Sequence, residues 1–288
     1  MVTKREYAIG GLHFLLSGWL PEQNRGDWLP QFLTQSGTPD IEIKVSRADD
    51  ILFPADCVPE WESAYVRSCR IENVIHCYFR RDSVPSGSDY AHLFYDADTP
   101  QLRNLELCDR GMELTEKHIL TCIGSEELFL QFGRAVMHSS CVETDGTALL
   151  FSGVSGIGKS TQAALWEQYA GAEVKNGDRN LLYCKDGREY ACGLPYAGSS
   201  GICSSFDLPV RAIVFLGQAK QNTIRRLDTN AAVKCILSQL PIPRWNRDAI
   251  GRAMDTAVRI AAYVPVYALN CLPDRTAVEL LRETLARK

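Results

Sequence analysis

The chain has 288 residues, of which 45% are hydrophobic and 23% charged, and its formal net charge is -4 at pH 7. This composition predicts a soluble globular protein with a substantial core, built as one large domain or two smaller ones. The negative balance, without any run of lysine or arginine, argues against nucleic acid as a partner.

The N-terminal residues carry charge where a signal peptide would have an apolar block, and no apolar run approaches membrane-spanning length. The eleven cysteines are scattered from Cys57 to Cys271 without a CxxC pair. This spacing favours reduced core thiols over a disulfide framework or a zinc site. We therefore expect a cytoplasmic protein that has no membrane partner.

Residues 1–124 are predicted to form a smaller, β-rich domain. Alternating or β-branched runs indicate strands at 41–45, 73–79 and 90–95. His13, His76 and His92 each lie singly in apolar patterns, so we expect packed or surface histidines rather than ligands. Substrate recognition and support of a homo-oligomer remain alternative roles for this half of the chain.

Residues 125–288 are predicted to form a second domain, which begins with a helix capped by Ser125 and a strand over 135–142. Asp145-Gly146 then has the composition of a two-residue hairpin turn.

The register of this hairpin brings a histidine to the end of the second strand. If Asp145-Gly146 form the turn, Thr144 pairs with Thr147, and His138 lies opposite Gly153 at about 5 Å. A slip of one residue would move the histidine to the other face of the sheet. An active-site role and a structural role for His138 both remain open at this point.

A phosphate-binding loop follows the second strand of the hairpin. Nine residues satisfy the GxxxxGK[ST] pattern between an apolar strand and a helix: Gly153, Val154, Ser155, Gly156, Ile157, Gly158, Lys159, Ser160 and Thr161. Glycines let the backbone N–H groups close around phosphate oxygens. Lys159 would contact the β and γ phosphates, and Ser160 would offer its hydroxyl to Mg²⁺. The loop therefore predicts a nucleotide as ligand.

Asp178 is the next candidate. The helix after the phosphate loop ends at Gly171, and a short predicted strand over 172–178 finishes with this aspartate. A carboxylate there could hold Mg²⁺ or accept the proton of an attacking hydroxyl. Asn-Gly-Asp is equally typical of a turn, so both alternatives stay open.

The rest of the chain alternates hairpins and helices. A hairpin is expected around 185–188, strands at 211–216, 222–227 and 264–269, and helices at 229–240, 247–263 and 275–287, with Thr229 as the cap of the first helix. This mixture predicts an α/β domain with a mixed β-sheet.

The residues from about 136 to 183 resemble the kinase domain of the HPr kinase/phosphorylase family, whose P-loop fold is related to that of phosphoenolpyruvate carboxykinase. The resemblance rests on His138 ahead of the hairpin, on the phosphate loop, and on the spacing that leads to Gly177-Asp178-Arg179. Gly198-Ser199-Ser200-Gly201-Ile202 falls where that family has a Gly-rich signature loop. The β-rich half lies outside the match.

The resemblance implies an ATP- and Mg²⁺-dependent kinase that phosphorylates a hydroxyl, usually a serine, on a protein, a peptide or a small molecule. It implies catalytic roles for Asp178, His138 and Lys159, with Ser160 and Asp178 at the metal. The chain departs from the family in having Gly177-Asp178 where two adjacent acids are usual. Its signature loop also lacks an arginine.

The sequence thus predicts a P-loop kinase in which Asp178 orients or deprotonates the acceptor and His138 stabilises charge near the γ-phosphate. Two other classes remain alternatives. One is a nucleotide-binding scaffold without catalysis, and the other is a P-loop ATPase that uses no phosphoacceptor.

Overall fold

The computed structural model describes residues 3–22, 29–35, 37–80, 89–111 and 113–287. A turn predicted at 85–88, and Trp28, predicted to be a core or lid residue, lie outside these ranges. The chain divides into two units, residues 1–128 with 243–247 and residues 129–242 with 248–288. The protein is α/β, and the sheet of each unit mixes parallel and antiparallel strands.

The first unit contains one eight-stranded sheet. Its strands are β1 (Thr3–Ile9), β2 (Leu12–Gly18), β3 (Ile41–Arg47), β4 (Trp61–Glu62), β5 (Val66–Ile71), β6 (Val74–Phe79), β7 (Ala91–Asp96) and β8 (Leu102–Leu107). They are ordered β1-β2-β3-β8-β7-β6-β5-β4, with β3 parallel to both of its neighbours. Two short helices follow, α1 (Glu116–Cys122) and α2 (Ser125–Gln131).

A buried ion pair fixes the end of this sheet to the following helices. The Arg103 side chain is fully buried, and its Nη2 donates to Oε2 of Glu127 at 2.6 Å. Its Nη1 donates to the carbonyl of Ile123, and its guanidinium lies 4.2 Å from the ring centroid of Tyr95. A buried guanidinium is tolerated here because nearly all of its N–H donors have hydrogen-bond acceptors.

His76 and His92, which the sequence predicts to be packed or surface residues, lie side by side on the first sheet. His76 Nδ1 is 3.0 Å from His92 Nε2, and His92 Nδ1 is 3.0 Å from a carboxylate oxygen of Glu106. Burial lowers the pKa of both histidines. The two histidines are diagonal neighbours on β6 and β7. Their contact depends on how the strands pair, which the order of residues along the chain does not show.

The second unit is built around another eight-stranded sheet. Its strands are β9 (Ala135–Thr144), β10 (Thr147–Ser152), β11 (Glu173–Asn176), β12 (Arg179–Lys185), β13 (Arg188–Gly193), β14 (Asp207–Gln218), β15 (Thr223–Arg226) and β16 (Val266–Cys271). Its helices are α3 (Lys159–Ala170), α4 (Thr229–Leu237), α5 (Arg247–Tyr263) and α6 (Arg275–Ala286). The main order is β10-β9-β12-β13-β14-β16-β15, and β10 also pairs with β14.

Both faces of strand β10 are buried, and the strand pairs with β9 on one side and β14 on the other. Leu149 and Phe151 pack in the cluster that contains α3 and α6, whereas Ala148 and Leu150 pack in the cluster that contains α4 and α5. Successive side chains on a strand point to opposite faces. Helices therefore cover both sides of the strand that leads into the phosphate loop.

The hairpin register is the one the sequence predicts. Thr147 pairs with Thr144 and Ser152 with Ser139, across a turn in which Asp145 and Gly146 both have positive φ. The helix cap at Thr229 is wrong: α4 starts at that residue, and the side chain of Asp228 accepts from the N–H of Ala231. Carboxylates and hydroxyls both cap helices well, so composition alone does not choose between neighbours.

The eleven cysteines are all free, and seven of them are buried. Within the described ranges, no helix combines the length and the apolar character needed to cross a bilayer.

Candidate active site

The phosphate loop leaves β10 in a conformation that requires glycine at several positions. Gly153, Gly156 and Gly158 have φ values of 140°, 77° and 112°. Helix α3 starts directly afterwards, and its first intrahelical bond runs from the N–H of Gln162 to the carbonyl of Gly158. The N–H groups of the first turn therefore have no acceptor within the helix. Together with the positive end of the helix dipole, they form a surface whose charge suits an anion.

Lys159 folds back over this loop. Its Nζ donates to the carbonyls of Gly153 and Val154, at 3.0 and 3.3 Å. Burial lowers the pKa of Lys159, and the negative charge of Asp178 partly offsets this shift. The ammonium group thus lies at the loop and within electrostatic range of the candidate acid.

Hydrogen bonds join the phosphate loop, His138 and Asp178 through strand β9. Ser152, the last residue of β10, donates its hydroxyl to the carbonyl of His138 at 2.7 Å. The N–H of Ser139 donates to the carbonyl of Asp178 at 3.0 Å. Residues 138 and 139 of β9 are therefore bonded both to the strand that enters the loop and to the backbone of the candidate acid.

The side chains of His138 and Asp178 are in direct contact. Nε2 of His138 lies 2.7 Å from Oδ1 of Asp178, and the two side chains are 40% and 25% exposed. The hydrogen bond from His138 lowers the pKa of Asp178 against the effect of burial, and the charges of Arg179 and Lys159 lower it further. Because an ionised carboxylate only accepts hydrogen bonds, Nε2 of His138 carries the proton of this bond.

Asn176 shapes the turn that carries Asp178. Its Oδ1 accepts from the N–H groups of Asp178 and Arg179 at 2.9 and 3.3 Å, and its Nδ2 donates to the carbonyl of Leu194. The side chain is fully buried. The sequence analysis did not select Asn176, although an asparagine two residues before the aspartate is the signature of an Asx turn.

A second loop packs directly against this turn. Residues Gly198–Ser200 form a short 3-10 helix, and Gly201 after it has a φ of 67°. A Cβ atom on Gly198 would lie 2.7 Å from both Cβ and Cγ of Asp178. The loop at the position of the family's signature loop thus forms part of the wall behind the candidate acid.

The other predicted residues occupy three places. Val154, Ser155, Ser160 and Thr161 are exposed around the loop and the first turn of α3. Arg179 lies beside Asp178, with Nε 3.8 Å from Oδ2, and its guanidinium lies over the ring of Tyr196. Arg244 and Arg247 are exposed and belong to the first unit.

The oxygen donors at the loop suit Mg²⁺. The ion prefers oxygen ligands, keeps several waters, and is commonly held by one or two protein groups together with substrate phosphates. The exposed hydroxyl of Ser160 and the ionised carboxylate of Asp178 are donors of this kind.

No protein-family model matches the chain, and no curated protein matches it. Among solved structures, the Hpr(Ser) kinase/phosphatase from Coxiella burnetii is similar over 53% of this chain and 88% of that one, with 16% identity and a TM-score of 0.31. A TM-score of this size does not show a shared fold. The nature of the site is therefore inferred from its contacts.

Proposed function

We propose that the protein is an ATP- and Mg²⁺-dependent kinase that transfers the γ-phosphoryl group to a hydroxyl. The observation that carries this proposal is the His138–Asp178 pair, bonded through β9 to the strand that enters the phosphate loop. Nucleotide binding alone needs the loop and its lysine. An ionised carboxylate held beside them is the additional group that transfer to a hydroxyl requires.

In the proposed reaction, the N–H groups of residues 154–161 and the ammonium of Lys159 bind the triphosphate. The acceptor oxygen attacks the γ-phosphorus as the bond to the β-phosphate oxygen breaks, and ADP leaves. Asp178 orients the hydroxyl and receives its proton. His138 donates from Nε2 to that carboxylate and stabilises charge beside the transferring group.

Mg²⁺, held by Ser160 and Asp178 together with phosphate oxygens, would supply positive charge that neutralises the phosphates. The hydroxyl acceptor, on a protein, a peptide or a small molecule, is proposed from the family resemblance alone.

The test is transfer of labelled γ-phosphate to free serine, serine peptides and small serine-containing proteins. Lys159→Ala and Asp178→Asn should each reduce acceptor-dependent transfer by roughly 10²- to 10⁴-fold. The matched control is Asp186→Asn, at the exposed turn after β12. It lies about 26 Å of extended chain away from Asp178, and asparagine tolerates its positive φ.

The result distinguishes three classes of protein. Acceptor-dependent transfer that is lost in both variants and kept in the control supports a kinase. ATP binding without turnover would indicate a scaffold. Phosphate release that needs no acceptor would indicate an ATPase, and either of these two results would overturn the proposal.

A further inference from the structure

A cavity of about 460 Å³ adjoins the phosphate loop. Its walls are residues 156–158 of the loop, Thr161 and Gln162 of α3, and residues 216–219 and 271–273 where β14 and β16 end. Strand β10 lies between β9, which carries His138, and β14. The cavity and the His138–Asp178 pair therefore flank the loop on opposite sides.

The cavity has the composition of a site for a neutral ring. None of its lining residues, all of which the structure describes, is Asp, Glu, Lys, Arg or His. Apolar groups of Ile157, Leu216, Leu272 and Pro273 contribute to its wall. Its volume lies within the usual range of small-molecule sites, about 300–1,000 Å³. In α/β sheets, ligands bind in the crevice beyond the carboxyl ends of the strands, where this cavity lies.

One wall residue has a buried acceptor that lacks a donor. Gln162 is 3% exposed, and its Nε2 donates to Sγ of Cys271 at 3.2 Å. Its Oε1 is buried and receives no hydrogen bond from the described residues. A buried acceptor without a donor is destabilising. Because Gln162 lines the cavity, a ligand N–H that turned this side chain toward it would complete a bond that the protein alone does not form.

We propose that this cavity binds the nucleoside part of ATP and that Gln162 Oε1 accepts from the amino group of adenine. This inference rests on the proposed function, because the loop must hold the triphosphate for the base to reach the cavity. A 6-oxo purine would bring a second carbonyl oxygen against Oε1 and lose the bond. Guanine would also lack the carboxylate that its N–H donors usually find.

The experiment measures equilibrium binding of three probes with Mg²⁺: ATP, ITP and inorganic tripolyphosphate. ITP differs from ATP by a 6-oxo group in place of the amine, and tripolyphosphate has no nucleoside. We expect ATP to bind about tenfold more tightly than ITP, the effect of losing one buried hydrogen bond. Tripolyphosphate should bind more weakly than either nucleotide.

Two variants test the cavity from different directions. Gln162→Leu should reduce the ratio of ATP affinity to ITP affinity to about one. Ala219→Phe, which fills the cavity, should lower the affinity for ATP to that for tripolyphosphate. Neither should change tripolyphosphate binding by more than about twofold, a result that also shows that the loop is folded. Gln168→Leu, the same substitution on the exposed face of α3, should change nothing.

The outcomes separate this inference from the proposed function. If ATP and ITP bind equally in the wild type, or if neither variant alters ATP binding, the assignment of the cavity is wrong. The proposed function survives that result provided that Lys159→Ala abolishes tripolyphosphate binding. If neither tripolyphosphate nor ATP binds the wild type, both proposals fail.

Discussion

Replacing Gly198 by alanine would displace the candidate acid without removing any polar group. The residue has a φ of 55°, and an added Cβ would lie 2.7 Å from Cβ and Cγ of Asp178 and 3.0 Å from its Oδ1. Carbon atoms in ordinary contact are about 3.5–4.0 Å apart, so the carboxylate or the loop must move by about 1 Å. The 2.7 Å contact between Asp178 and His138 would then be stretched or lost.

The expected effect on catalysis follows from this displacement. A misplacement of about 1 Å can cost roughly 100-fold in rate. Part of the strain will be taken up by the exposed loop, so we expect kcat to fall by about 10- to 100-fold. This corresponds to about 1.4–2.7 kcal/mol of transition-state stabilisation.

Gly201→Ala is the matched control for backbone strain. Gly201 belongs to the same loop and has a φ of 67°, but apart from its chain neighbours no heavy atom of the described residues lies within 4 Å of the position of its Cβ. Each substitution should lower the free energy of unfolding by about 1–2 kcal/mol through the left-handed conformation alone. Only Gly198→Ala should alter the site.

Rates of phosphate transfer and urea unfolding curves would be measured for both variants. The ring ¹⁵N chemical shifts of His138 supply a readout that needs no acceptor, because they respond to the loss of the hydrogen bond to Asp178. Equal rates and equal His138 shifts in the two variants would refute the proposal that Gly198 positions the carboxylate.

Three further predictions concern particular contacts. His138→Ala should raise the pKa of Asp178 toward its ordinary value. It should therefore lower the urea midpoint of unfolding near neutral pH, and the difference from wild type should shrink below about pH 4. An equal difference at all pH values would contradict this prediction. Arg103→Ala should cost about 3–5 kcal/mol in chemical denaturation because it leaves its buried carboxylate partner uncompensated; a loss under 1 kcal/mol would show that water reaches the pair. In the same measurement, Asp228→Ala should lower the free energy of unfolding by about 1 kcal/mol, and Thr229→Ala should lower it much less. The reverse order would place the helix cap at Thr229.

The sequence predicts those parts of the site that local chemistry determines. Asp145-Gly146 has the turn composition that sets a two-residue hairpin, and this register holds over all six pairs from Thr147 to Ser152. The position of the His138 backbone beside the loop follows from this register. The phosphate loop and the glycine that ends α3 are equally local, because each depends on a few backbone conformations that glycine permits.

Contacts between distant segments could not be predicted in this way. Asn176 is bonded to the carbonyl of Leu194, and Gly198 packs on Asp178 from 20 residues further along the chain. No periodicity or turn signal specifies which loop closes over which turn. The partners of a buried polar group are set by tertiary packing, whereas the local pattern gives only its own strand or turn.

The packing of these two loops accounts for one departure from the family that the chain resembles, the glycine at position 177. A Cβ atom on Gly177 would lie 2.0 Å from Oγ of Ser200, which itself donates to the carbonyl of Ala197 and accepts from the N–H of Ile202. The Ser200 side chain therefore fills the space that a side chain at 177 would need. A second acid next to Asp178 and this form of the loop exclude each other, so packing explains the glycine at 177.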